Sequence, residues 1–381
     1  MSRPEGKGWC PGAYRPMMSG DGLVVRVRPM MARLDRDQIL GLSETALEYG
    51  SGLIDLTSRA NLQIRGVAEK DHEAVLTRLN ALCLLPDDPD LESRRNILVS
   101  PLWQQDDETF QLASELTNRL RELPDMPAKI GFAIDTGPAP LFSSDSADFR
   151  LERSDGGIVL RADGNSKGLA VSLNTAIDAL IDMARWFVAT GGVENRRMAA
   201  HLSHEPLPSK WQTAQSDRPA PEITPGPCKA GDVYGAAFGK INATELRDLM
   251  HTTGATALRV TPWRLFLLEC ATSFLSDAPN FITHPADPLL QVDACPGAPL
   301  CNAATVETRA LAHTLAKVSP TPLHISGCAK GCARPRACAT TLVGRDGKFD
   351  LVRNGRPWDE PHLTDLTPET LVRHIGDIDA L

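Results

Sequence analysis

Four cysteines near the C-terminal end constrain this chain more than any other feature. Cys295 and Cys301 stand in Cys-Pro-Gly-Ala-Pro-Leu-Cys, and Cys328 and Cys332 stand in Ser-Gly-Cys-Ala-Lys-Gly-Cys. Pro296, Gly297 and Pro299 prevent regular structure, so the first pair sits on a tight loop. Gly327 and Gly331 leave the backbone around the second pair free to approach a bound group closely. Two loops carrying two thiolates each supply the four ligands of a [4Fe–4S] cluster.

Three other readings compete. Free cysteines fill cores, but these four lie among Pro and Gly rather than in apolar runs. Structural zinc takes ligand pairs two to four residues apart, and the 295/301 spacing is wider. Disulfides need an oxidising compartment; no N-terminal apolar run resembles a signal peptide, so a cytoplasmic location is expected. Asn302 is expected to cap a helix over about 304–317, with Val306, Ala310, Leu311 and Leu315 on one face. Cys301 would then precede a helix N-terminus, which favours a thiolate. Lys330, Arg334 and Arg336 are candidate donors nearby, and Cys338 a spare thiol. Cys10, Cys83, Cys228 and Cys270 are expected to be packing residues.

A length of 381 residues suits two or three domains. The net charge of −8 argues against non-specific nucleic-acid binding, so an anionic ligand would need a local basic pocket. No apolar stretch has the length of a membrane span. There is neither a Gly-x-Gly-x-x-Gly after a strand nor a Walker A pattern. Electrons must therefore come from an external donor, a partner reductase or a nicotinamide-linked reductant.

The chain carries an internal echo. A strand at 23–28, a capping box from Asp35 to Gln38, a helix ending before Gly50 and a strand at 53–56 lead into a polar loop at 57–66. The same order returns with a strand at 233–238, a capping box from Asn242 to Glu245, a helix closing at Gly254 and a strand at 257–260. Leu42 meets Leu246, Gly50 meets Gly254 and Thr57 meets Thr261, with the first helix one turn longer. This ordered similarity points to a duplicated half-domain. The expected layout is an arm and first half-domain (1–69, with 1–20 irregular), an α/β domain (70–204), a Pro-rich linker (205–229), a second half-domain (230–274) and a cysteine-bearing domain (275–381). The first α/β segment is expected to hold helices near 71–84 and 175–190 and strands near 96–99, 129–135 and 147–162. The last is expected to hold a hairpin at Asp346-Gly347 and a final helix capped by Thr367.

The cysteine spacing, the duplicated layout and the Thr-x-Arg segment Thr57-Ser58-Arg59 resemble the sirohaem-dependent sulfite and nitrite reductase superfamily, an α+β fold of two pseudo-repeats. Within it, Gly8-Trp9-Cys10-Pro11-Gly12, the segment from Arg15 to Leu23 and the run from His324 to Cys332 look like the precorrin-3B synthase branch. The resemblance implies that Cys332 both ligates the cluster and faces a second iron centre, non-haem iron or sirohaem. It implies an anion pocket of Arg59, Arg95 and Lys129; the family's second lysine is replaced by Gly131. The branch implies a tetrapyrrole substrate, precorrin-3A, and dioxygen as co-substrate. Arg26, Arg28, Arg59, Arg65, Arg94 and Arg95 are candidates to hold its carboxylates. Losing a lysine removes a charge and a proton source that sulfite reduction needs, which argues against sulfite or nitrite. A sirohaem reductase, a non-enzymatic electron carrier and a zinc-stapled scaffold remain the alternatives. His313 and His324 are the histidines nearest the cysteines.

Overall fold

The structure is a computed structural model describing residues 11–269 and 271–375. Cys10, Cys270 and the start of the Gly8–Gly12 motif lie outside the described residues.

The first half-domain opens with a hairpin. Strand β1 (Met17–Ser19) pairs with β2 (Gly22–Val27), Ser19 opposite Gly22, so Gly20-Asp21 is a two-residue turn. Part of the segment expected to be irregular is therefore paired strand. Next come β3 (Arg33–Asp35) and α1 (Arg36–Tyr49), whose capping box is complete. Asp35 accepts from the Gln38 backbone N–H, and the Gln38 side chain accepts from the Asp35 N–H. Strands β4 (Leu53–Leu56) and β5 (Leu62–Val67) follow. The expected polar loop thus ends at Asn61, because Leu62 and Ile64 alternate onto a buried face and continue the sheet.

The first α/β segment holds α2 (His72–Ala81), α3 (Pro89–Arg94), β6 (Ile97–Val99), α4 (Glu108–Asn118), β7 (Phe132–Asp135), β8 (Phe149–Ser154), β9 (Gly157–Ala162), β10 (Lys167–Val171), α5 (Ala176–Ala189), α6 (Gly192–Asn195) and α7 (Met198–His201). The Pro-rich stretch is tied to the body of the protein: β11 (Ala214–Gln215) pairs with β10, and Trp211 is buried.

The second half-domain comprises β12 (Gly226–Cys228), β13 (Gly231–Gly235), β14 (Lys240–Asn242), α8 (Ala243–Thr253), β15 (Ala257–Val260) and β16 (Leu265–Glu269). Asn242 caps α8 by accepting from Thr244 and Glu245 N–H. The last segment contains β17 (Val292–Ala294), α9 (Arg309–Ala316), β18 (Leu323–Ser326), β19 (Cys338–Arg345), β20 (Lys348–Gly355), β21 (Leu363–Leu366) and α10 (Pro368–His374). Asp346 and Gly347 both have positive φ in the β19–β20 turn, and Thr367 caps α10.

The duplication is plain in the sheets. One runs β1-β2-β5-β4-β14 and the other β12-β13-β16-β15-β3, so each half-domain lends its third strand to the other's sheet. Helix α1 has 14 residues and α8 has 11, a difference of about one turn. Met31 and Phe238 share a positive φ, as do Ala60 and Arg264. Thr57 accepts from the Arg59 N–H as Thr261 does from the Trp263 N–H. One core joins Leu34, Leu42 and Ile54 with Tyr234, Leu246 and Leu258. The larger sheets repeat as well. In each, two parallel pairings (β6-β7-β8; β17-β18-β19) are followed by two antiparallel ones (β8-β9-β10; β19-β20-β21). Among the described residues, no helix is long and apolar enough to cross a membrane.

Candidate functional site

Strands β17 and β18 are parallel neighbours, and both cysteine pairs leave from their carboxyl ends. Cys295 directly follows β17, and Cys328 stands two residues beyond β18. Such edges are where parallel sheets place ligand loops. Cys295 is buried. Its N–H donates to Ile325 O, its carbonyl accepts from Thr308 Oγ1, and its sulfur accepts from the Gly327 N–H at 3.1 Å.

Two glycines make this approach possible. A Cβ on Gly327 would lie 2.6 Å from Ala304 Cβ, and one on Gly297, at a φ of +69°, 2.6 Å from Thr308 Oγ1. Burial raises the Cys295 thiol; the Gly327 and Gly297 N–H groups oppose this, and Cys328 and Cys301 add to it. Cys332 keeps solvent-facing surface, yet the protein packed around it pushes its thiol up to about 11. Cys295, Cys328 and Cys301 push the same way, and Lys330 opposes. The Cys295 and Cys332 thiols thus both feel their neighbouring cysteines, an effect that a cationic core would relieve. Among the described residues, no three His, Cys, Asp or Glu side chains converge tightly enough to hold one metal ion.

The surroundings differ from expectation in several places. Helix α9 begins at Arg309, so Cys301 does not precede a helix N-terminus; 302–308 is spent folding the loop back, with Ala298 N–H on Val306 O. Cys338 is buried and donates to Pro322 O, away from a role as spare thiol. Arg334 is tied to Asp293 and to Ala337 O. His313 is exposed, its ring edge-on to Phe238. His324 is fully buried between Asp293 and Thr341, with no hydrogen bond on either ring nitrogen. Burial lowers its pKa to about 4.

The basic residues divide into two groups. Arg59 donates to Lys129 O at 3.1 Å, so these two are neighbours, with the Lys129 side chain exposed. Arg95 donates to Arg28 O, and burial lowers its pKa. Arg26 is half-buried on β2. Arg28 and Arg65 were expected to hold ligand carboxylates, but the structure turns both inward. Arg28 pairs with buried Glu92 and donates to Pro11 O. Arg65, 4% exposed, grips Asp21 through two bonds, Asp55 through one, and Leu300 O at 2.9 Å. Arg94 pairs with Asp125. At Gly131 a Cβ would make only ordinary contacts, the nearest Asn96 O at 3.5 Å.

Sequence reasoning missed the residues that hold the first cysteine loop from the other end of the chain. Leu300 O accepts from Arg65, from Ser19 Oγ at 2.6 Å and from Gly20 N–H at 3.2 Å. Asp55 bridges Arg65 to Arg309 at the start of α9. Gly20-Asp21-Gly22 signals a turn, but nothing local says what the turn touches.

The fold and the cysteine edge define an oxidoreductase of the nitrite and sulfite reductase type. Residues 15–82 match the nitrite/sulfite reductase ferredoxin-like half domain. The NirA protein of Mycobacterium tuberculosis has the same fold, with a TM-score of 0.69 and 17% identity over 94% of this chain and 80% of that one. A ferredoxin–nitrite reductase from Synechococcus elongatus is 23% identical over 93% of this chain and 84% of its own length. A precorrin-3B synthase from a Sinorhizobium species is 30% identical over 92% of this chain and 83% of its own length. At that identity and coverage the chain belongs to the precorrin-3B synthase family of this superfamily.

Proposed function

We propose that this protein is an iron–sulfur monooxygenase that hydroxylates precorrin-3A with dioxygen and closes a ring-A lactone on the product. The observation that carries the reading is the gathering of Cys295, Cys301, Cys328 and Cys332 on adjacent loops at one sheet edge, within one another's electric field. The cradle fits a [4Fe–4S] cluster: the Gly327 N–H is aimed at a sulfur, and two glycines stand where a Cβ would clash. The five-residue interval between Cys295 and Cys301 is wider than structural zinc pairs usually have and suits a cluster better. When bound, the cluster supplies single electrons from an external donor.

The chain's own residues bind and orient. Arg59 donates to the Lys129 carbonyl, two residues before Gly131, where the second lysine of the resembled family is missing. The absence of that lysine favours a bulky polycarboxylate over a small oxyanion. Arg26 is half-buried on β2, and Arg95 donates to the carbonyl of Arg28 just beyond that strand. His324 is buried, neutral and without hydrogen-bond partners, so it remains a candidate contact to the second iron, non-haem iron or sirohaem.

The test is protein purified without oxygen. Iron with acid-labile sulfide, no sirohaem absorption band, and oxygen uptake dependent on precorrin-3A are expected. Sulfite- or nitrite-dependent turnover with a sirohaem band would place the protein among the reductases instead. Cys332→Ser should abolish turnover, whereas Cys83→Ser, at an exposed position, should retain most of it. Equal loss from both would show the ligand assignment to be wrong.

A further inference from the structure

We propose that the tip of the β1–β2 hairpin, backed by Arg65, is a clamp that sets the position of Cys301. The inference rests on the cluster reading but is carried by its own geometry.

Three donors from the first half-domain converge on one carbonyl, that of Leu300, the residue before Cys301. They are Ser19 Oγ at 2.6 Å, Arg65 Nη2 at 2.9 Å and the Gly20 N–H at 3.2 Å. The backbones also meet: a Cβ on Gly20 would fall 2.0 Å from Pro299 O, so only glycine permits the approach. Arg65 is fixed in turn by Asp21, on the same turn, and by Asp55 on β4; Asp55 also holds Arg309. One carboxylate therefore spans the first half-domain and the start of α9. Neither Cys295 nor the second pair has such an attachment to the first half-domain among the described bonds. The loop of the first pair is thereby referenced to the strands β4 and β5 that flank Arg59. Ser19, Gly20 and Arg65 act as positioning residues.

The holoprotein tests this through Ser19→Ala, Gly20→Ala and Arg65→Lys. Two readouts are taken on each: hydrogen exchange of amides 297–304, and the rate at which an iron chelator strips the cluster, with the spectrum of the reduced cluster recorded. Loss of one bond to Leu300 O should speed exchange and iron release about fivefold, and Gly20→Ala should do more, in a protein whose circular dichroism is unchanged. Cys83→Ser is the control. Should Arg65→Lys fail to fold, Ser19→Ala still decides the matter. Exchange and release at wild-type rates in both Ser19→Ala and Gly20→Ala would overturn the clamp. Wild-type protein without sulfide would defeat the cluster reading alone, because the exchange readout continues to test the clamp.

Discussion

Gly131 is the position at which the proposed chemistry and that of the reductases should part. Its φ is ordinary, a Cβ there meets nothing closer than 3.5 Å, and its N–H is held by Asp148 at 2.9 Å. The backbone therefore does not require glycine, and under the proposed function the missing side chain leaves room for substrate. Gly131→Lys should fold with wild-type circular dichroism, since the added Cβ is accommodated. It should also raise KM for precorrin-3A on the order of tenfold or more, the effect of about 1–3 kcal/mol of overpacking against substrate. Steady-state kinetics with a thermal melt on the same samples checks this; an unchanged KM would mean the substrate does not use that space. That the four cysteines lie on irregular loops was legible because their spacing, with Pro and Gly between them, is written within short stretches. Arg28 and Arg65 were misjudged for the opposite reason. An arginine at a strand position reads the same whether its partner is a ligand or Glu92 and Asp21, which lie 64 and 44 residues away.

Strand β18 carries a test at the next scale. It presents Leu323 and Ile325 to one core and His324 to the other face, where Arg264 and Arg334 are both tied to Asp293. Burial first, then those two guanidiniums, keep His324 neutral, against the pull of Asp293. An unfolded histidine takes up a proton near pH 6.5, whereas this one resists until about pH 4. Between those values the unfolded chain binds more protons, so stability falls as pH drops through the window. The shift corresponds to about 3 kcal/mol lost by pH 4, at 1.36 kcal/mol per unit. Denaturant titrations from pH 7.5 to 4 should show this slope, and His324→Leu should flatten it by that amount; an unaltered slope would refute the assignment. Element starts and ends near caps were readable, as at Asp35, Asn242 and Thr367, since a cap is a local bond. The start of α9 was not. Val306 is buried from an irregular segment, and an apolar period alone cannot tell a helix from a loop packed on the same core.

At the scale of the molecule, sequence similarity between the halves announced a duplication but not its topology. The exchange of β3 and β14 was invisible because each is three residues long and both precede their helices in the same way. Its physical consequence is that neither half-domain owns a complete sheet. Without the second half, β4 loses β14 and α1 loses α8, leaving Leu34, Leu42 and Ile54 with half of their shared core. An open edge beside exposed apolar surface is an association site. A fragment of residues 1–204 expressed alone should therefore aggregate or stay unfolded by size exclusion and circular dichroism, and so should 205–381. Co-expression of the two should yield a soluble complex, because every strand then finds its partner and the break falls beyond α7, outside the exchanged strands. In the intact chain the two half-domain sheets should melt in one transition, as a shared core dictates. A monomeric, cooperatively folded 1–204 fragment would show that the exchanged strands are ornament and that each repeat is self-sufficient.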